Sequence, residues 1–66
     1  MDKTMVGIVL RFIAHVAGLV WRYGVSKVNQ IIAWIKRNHK TVQLWLERGV
    51  TYGTIIGWIM NTLGMG

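Results

Sequence analysis

The sequence predicts an all-α chain of four helices. Three observations carry this reading. Apolar residues recur at steps of three and four in four successive segments, which gathers them on one helical face each time. Proline is absent, so nothing in the chain forbids long helices. Strict apolar–polar alternation fails over any useful length, although Ile, Val and Thr, which favour strands, are plentiful.

The first helix is expected over 4–23. Thr4, Gly7, Arg11, His15, Gly18 and Arg22 form one polar or small stripe on it. The rest is apolar, from Met5 through Phe12 to Trp21, and so wide an arc asks for cover on several sides. Tyr23-Gly24 supplies the stop, with Gly24 suited to a left-handed turn.

The second helix is expected over 26–37, capped by Ser26. Val28, Ile31, Ile32 and Ile35 make its inner face, with Trp34 at the edge near Lys27. The stretch Arg37-Asn38-His39-Lys40 breaks it and leaves cations at its carboxyl end, where the helix dipole favours them. A third helix, 41–48, starts on Thr41, turns Val42, Trp45 and Leu46 inward and ends at Gly49. Thr51 caps the fourth, 51–63, whose inner stripe is Tyr52, Ile55, Ile56, Ile59 and Leu63; Gly64 closes it. Each proposed helix holds one tryptophan: Trp21, Trp34, Trp45 and Trp58.

A chain of 66 residues makes one domain at most. At that length about 60% of the unfolded surface is hidden, so the core is marginal. Cysteine is absent, which excludes disulfides and thiolate metal sites. Asp2 and Glu47 are the only acids, and His15 and His39 lie far apart, so neither a metal nor any other cofactor is expected. The same scarcity argues against an enzyme. Ser26 has no triad partners, and His15 shares a polar stripe with Arg11 and Arg22, which suits a boundary residue better than a base.

The chain is 53% hydrophobic yet carries a formal charge of +6. A basic, apolar, tryptophan-rich composition suits an anionic membrane surface or nucleic acid. Nucleic-acid readers set aromatics on a polar, basic platform. Here nearly every second residue is apolar, and no charged residue follows Arg48, so lipid is favoured and no nucleic-acid partner is expected.

The opening residues superficially look like a signal peptide, but Arg11 and His15 interrupt the apolar run and no A-x-A pattern follows. Met1 is therefore expected to belong to the working chain. A membrane span over 4–23 has the right length. Arg11 near its centre would cost roughly 2.5–3.5 kcal/mol. That span carries the alternative reading, a small integral membrane protein of holin-like or toxin-like type. Gly53 and Gly57 make a G-x-x-x-G spacing, which suits close helix packing in a membrane or in water.

The tryptophans divide. Trp21 and Trp45 are expected to fill the core. Trp34 and Trp58 lie nearer the edges of their apolar faces and are expected at the lipid interface, where tryptophan settles. The cations Lys27, Lys36, Arg37, Lys40 and Arg48 are expected to meet anionic lipid beside them.

The order Arg11-Phe12-Ile13, Tyr23-Gly24, Ser26-Lys27-Val28, Trp34, Asn38-His39-Lys40-Thr41, Leu44-Trp45-Leu46, Gly49, Trp58 and Leu63-Gly64 resembles the leaderless bacteriocins of the aureocin and lacticin Q type. The resemblance spans about residues 11–64. It implies a compact four-helix, saposin-like bundle without disulfides, secreted without a signal peptide. It also implies permeabilisation of Gram-positive membranes as the mode of killing. This chain is longer at the front, has an extended second helix and lacks lysines in its last helix. Circular bacteriocins are similarly long and apolar, and a join between Gly66 and Met1 would make this chain one of that kind. The expected partner is the anionic membrane of target bacteria, with oligomerisation there allowed and no small-molecule substrate.

Overall fold

Among the described residues, tandem helices wrap a core of ten apolar side chains. The computed structural model describes residues 6–65. The helix start expected at Thr4, the placement of Met5, and Met1 and Gly66 lie outside the described residues. Among the described residues every regular element is helical: α1 (Gly7–Ala17), α2 (Val20–Tyr23), α3 (Val25–Arg37), α4 (His39–Glu47) and α5 (Tyr52–Thr62).

The four-helix count changes at the front. The first helix is interrupted at Gly18–Leu19 and resumes as the single turn of α2. Gly18 N–H is shared between the carbonyls of Ala14 and His15, at 3.2 and 3.1 Å, and Leu19 N–H goes back only three residues, to Val16. Such i−3 bonding tightens a helix end. Glycine is a poor helix former, so the break falls where continuation is weakest.

Two expected caps are not caps. Gly24, with φ 91°, precedes α3, and Ser26 lies inside the first turn, its Oγ accepting from Gln30 Nε2 at 3.3 Å. Asn38 precedes α4, so Thr41 sits within that helix. The break between α3 and α4 is therefore one residue rather than four. Asn38 nonetheless closes α3 with both its backbone N–H and its Nδ2, each donating to Trp34 O at 3.0 Å.

Thr51 does cap α5, its Oγ1 accepting from Thr54 N–H at 3.3 Å. Gly49 and Gly64 take positive φ after α4 and α5. The next residues bond back across the glycine, Val50 N–H to Trp45 O and Met65 N–H to Met60 O, the Schellman pattern that satisfies terminal carbonyls.

The core draws Val9, Phe12 and Val16 from α1, Val28, Ile31 and Ile35 from α3, Val42 from α4, and Ile55, Ile56 and Ile59 from α5. α2 contributes no buried residue. Ile32, Trp45, Leu46, Tyr52 and Leu63 are half-buried around this centre. The Cα radius of gyration is 11.1 Å, close to the roughly 11 Å of a compact chain of this size.

Two expectations about the first helix are overturned. Trp21 is 82% exposed and fills no core. The wide apolar arc is left partly bare, with Val6, Leu10 and Val20 exposed. The core needs only the narrow i, i+3, i+7 stripe of Val9, Phe12 and Val16, and among the described residues no further helix lies outside α1 to cover the rest.

Candidate membrane-facing surface

Three tryptophans meet where α3, α4 and α5 pack. Trp34 and Trp45 lie nearly parallel, with ring centroids 6.1 Å apart and planes 9° apart. Trp58 meets Trp45 edge-on at 4.9 Å and 69°. Such arrangements suit the ring quadrupole and are worth about 0.5–1.5 kcal/mol per pair beyond area burial. Trp34 and Trp45 are both half-buried, and Trp58 remains 44% exposed. Trp45 therefore sits between core and rim, and Trp34 is less free than an edge position suggests.

The cations lie outside this cluster. Arg11, Arg22, Lys27, Lys36, Arg37, Lys40 and Arg48 are all exposed, and among the described residues no polar or charged side chain is buried. Lys36 and Arg37 occupy the last turn of α3, where the helix dipole favours them. Lys40 falls in the first turn of α4, the end that disfavours a cation. The helix break at Asn38 thus concentrates Lys36, Arg37 and Lys40 around one junction. Lys27 stands nine residues before Lys36 on the same helix, about 13 Å along its axis. Arg48 lies at the opposite end of α4 from Lys40. The positive charge is spread over several faces, with its greatest density at the α3–α4 junction.

Little negative charge opposes it. Glu47, the one acid among the described residues, accepts a bond from Gln43 Nε2 at 2.9 Å.

A shallow open depression of about 320 Å³ lies between the start of α1 and the α4–α5 turn, walled by Ile8, Leu46, Val50 and Tyr52 with Arg11 at its margin. The Tyr52 ring also meets those of Phe12 and His15, with centroids 4.9 and 4.8 Å away and planes tilted by 47°, which ties α5 to α1. The ring contact with Tyr52 gives His15 a packing role at the boundary. Gly53 and Gly57 are exposed, and a Cβ on either would meet nothing within 4 Å, so their spacing serves no helix contact inside the bundle.

Sequence reasoning missed the exposed α1–α2 face. A usable clue was present. At about 100° per residue, Trp21 projects roughly 150° from the centre of the Val9, Phe12, Val16 stripe. Aromatic bulk suggested core, whereas helical phase pointed outward.

Among the described residues no helix is long and apolar enough to cross a membrane, and the span expected over 4–23 is divided by the Gly18–Leu19 turn. No protein-family model matches the chain, and no curated protein or solved structure matches it.

Proposed function

We propose that this protein is a bacteriocin: a cationic, saposin-like helical bundle that adsorbs to anionic bacterial membranes and permeabilises them, chiefly in Gram-positive targets. In this reading α1 and α2 act as one bent helix, which restores a four-helix plan, and the protein works outside the producing cell. One observation carries the proposal. Every Lys and Arg among the described residues is exposed beside a core that is wholly apolar.

The magnitudes support a bundle that opens on lipid. A single core in so short a chain rarely supplies more than about 3–5 kcal/mol of stability. Each basic residue near an anionic surface contributes roughly 1 kcal/mol of attraction. Arg11, Arg22, Lys27, Lys36, Arg37, Lys40 and Arg48 cannot all face one plane, but a few suffice to match the stability of the fold. Acyl chains can then replace the contacts that Phe12, Ile31 and Ile55 make with one another's helices. Lys27, Lys36, Arg37, Lys40 and Arg48, with Trp34 and Trp58, supply headgroup attraction and interfacial anchoring.

The test is dye release from vesicles of phosphatidylglycerol with phosphatidylcholine against vesicles of phosphatidylcholine alone. Release confined to the anionic vesicles is expected. Equal release from both, or none from either, sinks the proposal, and salt-sensitive DNA binding without lipid binding would replace it.

A further inference from the structure

The outer face of α1 and α2 carries two parallel stripes of opposite character. Val6, Leu10, Ala14 and Ala17 recur at i, i+4, i+8 and i+11, and all four are exposed. Trp21, four residues on from Ala17 and in α2, continues the series at 82% exposure, the most open of the large apolar side chains. Beside this row run Arg11, His15 and Arg22, all exposed, with Gly7 and Gly18 between the two stripes. The buried stripe of Val9, Phe12 and Val16 fixes α1 from the other side and turns this face away from the core. Arg22 lies over the Tyr23 ring, its guanidinium carbon 5.9 Å from the ring centroid.

We infer that this α1–α2 face is the primary lipid-docking surface, with Trp21 as its anchor and Arg11 and Arg22 on phosphate headgroups. The inference rests on the membrane-active reading and replaces the α3–α4 cations as the first point of contact. Charge complementarity identifies the occupant. An apolar row bordered by cations matches the boundary between acyl chains and anionic headgroups, and a helix lying flat there uses both stripes at once. A second copy fits worse. Pairing this face with itself would bring two arginine rims together, and no acid lies within α1, α2 or α3 to offset them. The Trp34, Trp45 and Trp58 cluster is already engaged in ring contacts, whereas the Trp21 indole makes none.

The experiment compares the native chain with Trp21→Ala, Leu10→Gln and Trp21→Phe. It measures partitioning onto phosphatidylglycerol–phosphatidylcholine vesicles, alongside thermal melts and sedimentation without lipid. Trp21→Ala and Leu10→Gln are expected to weaken partitioning by roughly tenfold or more, because an anchoring indole or leucine buries a large apolar area. Trp21→Phe recovers part of the loss, and all three melt like the native chain. If Trp21→Ala partitions as well as the native chain, the docking face is wrong while the proposed function stands. If the native chain does not bind these vesicles, both fall. If the native chain is a dimer that Trp21→Ala dissociates with vesicle affinity unchanged, the face joins copies and the inference is overturned.

Discussion

Trp34 on α3 and Trp45 on α4 stack nearly parallel across the Asn38 junction, with ring centroids 6.1 Å apart and planes 9° from parallel. Trp45 is shared, since Trp58 also packs against it. Trp45→Ala removes two ring pairs and Trp34→Ala one. The difference should be about 0.5–1.5 kcal/mol, the worth of one aromatic pair, with Trp45→Ala the less stable. Urea melts of the two variants check the order. Equal stability would show that the Trp45–Trp58 contact contributes nothing.

Ile31 is fully buried at the centre of α3. Truncating such a side chain to alanine costs about 2–5 kcal/mol. That rivals the ~3–5 kcal/mol a core of this size supplies. Ile31→Ala should therefore be largely unfolded at room temperature by circular dichroism. A native-like melt would mean that the core is far more robust than its size implies.

Gly24 and Gly57 should respond oppositely to alanine. Gly24 has φ 91° and ψ 154°, backbone territory nearly reserved for glycine, although a Cβ there would touch nothing within 4 Å. The cost of Gly24→Ala is thus purely conformational, about 1–3 kcal/mol. Gly57 lies exposed inside α5 with the same open space around it. Gly57→Ala should stabilise the protein by roughly 0.5–1 kcal/mol. Paired melting curves decide this, and destabilisation by Gly57→Ala would reveal a packing duty for that glycine.

Replacing Lys36, Arg37 and Lys40 together by glutamine should leave helicity intact, because all three are exposed. Anionic vesicle affinity is expected to fall. At roughly 1 kcal/mol per cation the upper limit is about a hundredfold. The loss should shrink as salt rises, since exposed charges are screened. Titrations at low and physiological salt measure both quantities. A loss that ignores salt would assign these residues a role other than charge.

Much of the helical plan was legible because its causes are local. The apolar spacings of Val28, Ile31 and Ile35 and of Ile55, Ile56 and Ile59 mark buried stripes without knowledge of any partner. Gly49 and Gly64 end their helices through their own backbone freedom, and Thr51 reaches only to Thr54. The caps expected at Ser26 and Thr41 failed because each helix begins one or two residues earlier, at Val25 and His39. Gly24 and Asn38 each set the direction in which the next helix leaves.

The facing of the first helix was not legible. Its sequence is apolar on most sides, so local preference leaves its rotation nearly free. Packing decides it: Phe12 meets Tyr52, and Val9, Phe12 and Val16 turn toward α3 and α4, which carries Leu10 and Trp21 to the surface. The tryptophan cluster has the same origin. Trp34, Trp45 and Trp58 lie far apart along the chain, and their contact exists only once three helices pack. Periodicity and end signals act over a few residues, whereas rotation and ring contact depend on burial summed over the whole bundle.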